Sequence, residues 1–212
     1  MPVTFSDRYP LLPFQATDPD ALRQVIETFP LATVISQTPA GPSVTQVPLI
    51  LYPARTARGS LIGHMDRNNP HTALMDEGAH VTALFHGPSS YMTPKIYPTP
   101  HYPGWNYVTV RVEGMSTVIR SLDEVKDSLA RMTASLEWDS EPYVLDRDSD
   151  AVDYLARGIV AFEIEILSMQ GIFKLAQDKG PAAAEIAKKH LVERSQRDWT
   201  TLLDRLLGAT SM

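Results

Sequence analysis

The residues most able to do chemistry sit in one stretch, Gly63-His64-Met65-Asp66-Arg67-Asn68-Asn69-Pro70-His71. An apolar strand pattern runs into a tight polar loop with one arginine, then into a helix start. Asn69 suits an N-cap, Pro70 the first helical position and Gly78 the stop, so the spacing predicts a short helix between them. A helix start exposes unpaired N–H groups and a partial positive charge, and Arg67 adds a planar fork of donors that matches phosphate oxygens. These residues could form a phosphate cradle without a glycine-rich motif, although caps are commoner than phosphate sites. An ordinary cap beside a solvent-facing arginine is the alternative reading of the same residues. Two further stretches carry relevant groups. Tyr102-Pro103-Gly104-Trp105-Asn106-Tyr107 could flank a flat ring system or form an aromatic cluster at a barrel mouth. Lys174-Leu175-Ala176-Gln177-Asp178 puts a cation and an amide just past a buried strand, where a solvated strand end is the other option.

These groups must be positioned by the elements around them. Thr17, Asp18 and Pro19 open a helix whose apolar face is Leu22, Val25, Ile26 and Phe29. The proline-rich lead-in Tyr9–Pro13 is expected to lie extended on the surface. Leu31–Gln37 and Ser43–Tyr52 read as a hairpin about Thr38-Pro39-Ala40-Gly41-Pro42, followed by strands Ser60–Met65, His80–His86, Asn106–Ile119 and Ile159–Leu167. In the fifth, Val108, Val110 and Val112 alternate with Thr109, Arg111 and Glu113, the period of a half-buried strand. Ser121 and Glu124 have capping-box spacing ahead of Leu122, Val125, Leu129 and Met132. Glu137–Asp153 reads as an acidic loop leading to a short helical turn. Ala182–Leu207 reads as a helix with the stripe Trp199, Leu202, Leu203, Leu206 and Leu207. The class is mainly β with helices (α+β): six or more mostly antiparallel strands in a barrel with peripheral helices.

Composition removes several functions. The chain has 212 residues, is 43% hydrophobic and carries a net charge of −6, so it can bury a core and has no global attraction for polyanions. The tail after Gly180 sets Lys188, Lys189, Arg194, Arg197 and Arg205 against Glu185, Glu193, Asp198 and Asp204, a poor footprint for direct DNA binding. Cysteine is absent, which excludes disulfides, thiol nucleophiles and cysteine metal sites. The six histidines show no metal-ligand spacing, and packing or hydrogen bonding is expected of His64 and His71. No dinucleotide fingerprint, P-loop or nucleophile elbow occurs. Met1–Phe5 lacks the features of a signal peptide, and the longest apolar run, near Val47–Leu51, is too short to span a bilayer. A cytoplasmic protein without a membrane segment is expected.

Several of these motifs, in this order, resemble the PaiB-like family of FMN-binding negative transcriptional regulators. They are Leu31–Gln37, Val47-Pro48-Leu49, Gly63-His64 with Arg67, Asn69 and Pro70, and Gly87-Pro88 with Tyr91-Met92-Thr93-Pro94 and Tyr97. Trp105-Asn106-Tyr107, Gly158-Ile159-Val160 and Lys174-Leu175-Ala176-Gln177 continue the series. Asp66-Arg67 stands where the family usually has Ala-Arg, and Ala176-Gln177-Asp178 where it has a Ser-Gln-Asn pattern. The resemblance implies an FMN-binding split β-barrel over residues 1–180, related to pyridoxamine phosphate oxidase and flavin reductases, with a C-terminal helical extension over 181–212. It implies a homodimer with FMN between subunits. Arg67 and Asn69, with His64, Met65 and Asn68 of the same loop, would hold the phosphate. Thr45 and Gln46 would lie beside the isoalloxazine, with Trp105 able to stack, and Lys174 and Gln177 would reach from the partner. No catalytic residue is identified. An FMN-dependent oxidoreductase with His64, Trp105 and Tyr107 in its pocket is one alternative. A flavin-free or haem-binding barrel with His64 or His101 as axial ligand is another.

Overall fold

The structure is a computed structural model that describes residues 9–52, 58–76 and 78–195, together with Thr200, Leu203 and Leu206. Its elements are β1 (Gln15–Ala16), α1 (Pro19–Thr28), β2 (Leu31–Thr38), β3 (Gly41–Pro48), β4 (Ile50–Tyr52), β5 (Ser60–Asp66), β6 (Ala79–Met92), β7 (Gly104–Val118), α2 (Leu122–Leu136), α3 (Asp150–Gly158), β8 (Ile159–Lys174) and α4 (Pro181–Ser195). No helix among the described residues is long and apolar enough to cross a membrane.

All neighbouring strands pair antiparallel, in the order β3-β2-β6-β7-β8-β5-β4, with β1 on β8 beyond β5. The two ends of that order, β3 and β4, are separated in the chain by Leu49 alone. The sheet must therefore curl until its ends meet, and it becomes a barrel. At the crossing, β5 needs Gly63: a Cβ there would strike the Leu49 side chain and lie 3.2 Å from the Pro48 carbonyl. Leu22, Ile26, Val34, Leu61, Phe85, Val110, Phe162 and Ile164 fill the interior. Alternation along β7 turns Val108, Val110 and Val112 inward, as the sequence pattern requires.

Several elements differ from expectation. Ser43–Tyr52 is not one strand, because β3 pairs with β2 while β4 pairs with β5. β8 continues past Leu167 to Lys174. Gly171, inside this extension, is a point of close approach, where a Cβ would meet Leu22 and lie 3.1 Å from Ala16. β6 runs beyond His86 to Met92 through an irregularity between His86 and Ser89. The helix expected from Asn69 to Gly78 is a single 3-10 turn, Pro70–Leu74, and Gly78 serves the turn into β6 with φ +76. The lead-in is not wholly extended: Leu12–Phe14 form a 3-10 turn before β1. Ser121 occupies the N-cap of α2, but its side chain makes no capping bond. α3 is longer than a turn and starts at Ser149, whose hydroxyl accepts from the Val152 amide. α4 lays Ala187 and Leu191 against Met92, Tyr97 and Ala176. Of the expected tail stripe, Trp199, Leu202 and Leu207 lie outside the described residues, while Leu203 and Leu206 are exposed.

Candidate functional site

Closure of the barrel is incomplete. β4 pairs with Ser60–Ile62, but the rest of β5 has no ladder to β3. The wall is split between β3 and Gly63–Asp66, and side chains bridge the opening. Asn69 Nδ2 donates to Thr45 Oγ1 at 3.3 Å, and Thr45 Oγ1 lies 2.9 Å from His71 Nδ1. On the far side of the ring, His71 Nε2 is 2.9 Å from Ser36 Oγ. The local chain dictates this arrangement. Pro70 starts the 3-10 turn, Asn69 Oδ1 accepts from the His71 amide at 3.0 Å, and the turn drives the imidazole into the wall, where it is 1% exposed. Burial holds the His71 pKa below its ordinary value, so the ring is neutral at pH 7.

Arg67 stands next to the split. Its Nε donates to the Arg157 carbonyl and Nη2 to the Ile159 carbonyl, both at 2.7 Å, while its own amide donates to the Gly158 carbonyl at 2.9 Å. It therefore caps the C-terminal end of α3, where carbonyls lack helical partners and a cation is favoured. Two of the five N–H donors of the guanidinium are used in this way. The fork is held in one orientation, and its other terminal nitrogen has no hydrogen-bond partner among the described residues. Asp66 points its carboxylate at the Asn68 amide, 2.7 Å away, and so is occupied in shaping the loop.

The other sequence-derived candidates fall in different places. Gln46 lies on the opposite face of β3 from Thr45, is exposed, and donates to Thr33 Oγ1 at 2.9 Å. Met65 is in the core. His64 is on the β5 face shared with Ile62, opposite Ala161, in the region packed by Val125 and Ala156. Burial lowers its pKa. Trp105, Lys174 and Gln177 gather at the far end of the barrel, where β7 begins and β8 ends. Trp105 is half-exposed, tilted 57° to Tyr91 with centroids 6.3 Å apart. The Gln177 amide is engaged locally: Oε1 accepts from the Leu175 amide and Nε2 donates to the Phe173 carbonyl. Along β8, Arg67 bonds the first residue, Ile159, and Lys174 is the last.

Sequence reasoning missed Ser36, the α3 carbonyls behind Arg67, and the part played by His71. It also passed over Asn106, whose buried Nδ2 has no acceptor among the described residues. Only the Asn-Pro-His turn at 69–71 hinted at the first network, and Asn106 sat in plain view beside Trp105.

An antiparallel barrel, split between two strands and lined at the split with hydrogen-bond donors, defines the class of flavin-binding split barrels. Residues 9–168 match the family described as "Putative FMN-binding domain", and the chain belongs to that family. It is similar to the protease synthase and sporulation protein PAI 2 of Bacillus subtilis, with 24% identity over 168 residues, 78% of this chain and 80% of that protein. Among solved structures it is similar to the FAD and heme binding protein from Mycobacterium smegmatis, with TM-score 0.59, 16% identity and coverage of 76% and 73% of the two chains. It is also similar to the flavocytochrome Anf3 from Azotobacter vinelandii, with TM-score 0.59, 13% identity and coverage of 79% and 74%. At these identities the structural likeness speaks to the fold.

Proposed function

We propose that this chain is an FMN-binding protein of the PaiB-like regulator type, with the flavin between two copies and its phosphate at the split. The observation that carries this reading is the separation of the two donor groups. Arg67 bonds the first residue of β8, with Asn69 and Thr45 beside it at the split, while Trp105, Asn106 and Lys174 lie toward the last residues of β8. In this reading a two-fold pair of chains brings the two sets to one flavin, and each pair then holds two equivalent sites. The residues present fit the group. Arg67 offers a pre-aimed guanidinium with a terminal nitrogen open to a phosphate oxygen, Asn106 Nδ2, which has no acceptor among the described residues, calls for one, and Trp105 presents an open ring face.

FMN, when bound, supplies redox chemistry, and the chain binds, orients and shields it. Arg67 and Asn69 anchor the anionic end. Of Thr45 and Gln46, facing opposite ways, Thr45 serves the split and Gln46 the outer surface. Gln177 shapes the turn that presents Lys174. Residues 1–180 form the flavin-binding body in this reading, and α4 begins the extension, seated on Met92 and Tyr97. A cytoplasmic location and regulation through a protein contact accord with the acidic chain and the near-neutral tail better than direct DNA contact. The haem alternative has less support, since His64 sits on a covered face and His101 packs edge-on against Tyr97 with centroids 4.4 Å apart.

The test is titration of the apo-protein with FMN, followed by flavin fluorescence, for wild type, Arg67→Ala and Lys174→Ala. Each variant is expected to bind weakly alone. Mixed and re-equilibrated one to one, the two variants should regain about a quarter of the wild-type sites, because half the pairs are mixed and each mixed pair has one intact site. Wild-type protein that does not bind FMN refutes the flavin reading, and variants that never complement refute the shared site.

A further inference from the structure

The hydrogen-bond chain at the split can be solved for its protons. The His71 backbone amide is always a donor, so the Asn69 atom that accepts it is Oδ1 and the other atom, Nδ2, must be the donor toward Thr45 Oγ1. Two arrangements of the neutral imidazole remain. Either Thr45 gives its proton to Nδ1 and Nε2–H donates to Ser36, or Nδ1–H donates to Thr45 and the Ser36 hydroxyl donates to Nε2. The first leaves the Ser36 hydrogen without an acceptor, and Ser36 is only 4% exposed, with His71 Nε2 its sole side-chain partner among the described residues. The second satisfies Ser36 completely and releases the hydrogen of Thr45, which is half-buried and lies at the opening. An unmade hydrogen bond costs most where water is excluded, so the second arrangement holds.

We infer that His71 and Asn69 make Thr45 a donor-only hydroxyl, the specificity-determining contact that admits only a hydrogen-bond acceptor, an oxygen of a phosphate, carboxylate or carbonyl, at the split. Both lone pairs of Thr45 Oγ1 are taken from inside, one by Asn69 Nδ2 and one by His71 Nδ1–H. Its one remaining capacity is to give its proton outward. A ligand N–H or O–H placed there would meet a filled acceptor. His71 is thus a positioning residue acting through Thr45, and the lowered pKa of the buried ring keeps it neutral in that part. The proton assignment stands independently of any ligand, and only the identity of the acceptor, an FMN oxygen, rests on the flavin reading.

The experiment combines nitrogen-15 NMR of the histidine rings with FMN and inorganic phosphate titrations of wild type, Thr45→Val and Thr45→Ser. The wild-type His71 ring should be protonated at Nδ1 and bare at Nε2. Thr45→Val removes the acceptor of Nδ1–H, so the ring proton should move to Nε2 and donate to Ser36, and Thr45→Ser should restore the wild-type form. FMN affinity should fall about tenfold or more in Thr45→Val and recover in Thr45→Ser, the loss expected for one hydrogen bond to a charged or polar acceptor. A wild-type ring protonated at Nε2 overturns the inference, as does a wild type that binds FMN but no more tightly than Thr45→Val. Nδ1 protonation in a protein that ignores both FMN and phosphate leaves the donor-only hydroxyl standing and refutes the flavin reading alone.

Discussion

Arg67 has a structural task that can be measured without any ligand. Its guanidinium closes the carbonyls of Arg157 and Ile159 at 2.7 Å each, at the point where α3 turns into β8. Two hydrogen bonds on an exposed side chain contribute about 0.5–1 kcal/mol apiece. A cation at a helix C-terminus adds about 0.3–1 kcal/mol. Arg67→Ala should therefore destabilise the ligand-free protein by about 1.3–3 kcal/mol, and for a chain of this size that lowers Tm by roughly 3–12 °C. Arg67→Lys keeps the charge near the helix end but cannot bridge two carbonyls with a rigid fork, so about half of the loss should remain. Urea denaturation of the apo-protein, followed by circular dichroism, gives the free energy, and the denaturant slope should not change. An alanine variant within about 0.5 kcal/mol of wild type would refute the capping role. In that event any loss of FMN binding by the variant would belong to direct contact alone.

Two further substitutions probe the frame around the site. Gly114→Ala would place a Cβ against the Ile164 side chain and 2.5 Å from the Glu165 carbonyl oxygen, at the register shift between β7 and β8. The backbone cannot retreat cheaply, so a loss of about 1–3 kcal/mol or more is expected in urea denaturation. Lys126 and Asp153, 2.7 Å apart, tie α2 to α3, and the hydrogen bond from Lys126 chiefly holds the Asp153 carboxyl below the usual aspartate range. A carboxyl depressed in the folded state stabilises above its unfolded pKa of about 3.9 and loses that contribution as pH falls through its lower folded value. Thermal unfolding from pH 5 to pH 2 (about the range where it titrates) should therefore show an acid loss in wild type that is smaller in Asp153→Asn.

Much of this molecule can be read from its residues, and the exceptions share a cause. The alternation of Val108, Val110 and Val112 is local, and it marks the strand and its inner face correctly. The extension of β8 through Gly171 is not local, because the glycine answers to Leu22 and Ala16 from distant elements rather than to a turn. The same distinction runs through the site. Arg67, Asn69 and Pro70 stand out by spacing, but the partners of Arg67 come from 90 and 92 residues away. Ser36 reaches His71 across 35 residues. Alternation along β3 already implies that Thr45 and Gln46 face opposite ways.

The split in the wall also decides where this barrel gives first. Between β3 and the last residues of β5 no main-chain rung has to break for the strands to part, only the few side-chain bonds around Thr45. Amides bordering that line should exchange with solvent ahead of those in β6, β7 and β8, which are laddered on both sides. An occupant of the split would then act as the missing rungs. It would slow that exchange, lend the open side the cohesion of the rest, and add to the stability of the folded state in proportion to the logarithm of its concentration. Breathing along this one line is accordingly the natural route by which a ligand comes and goes.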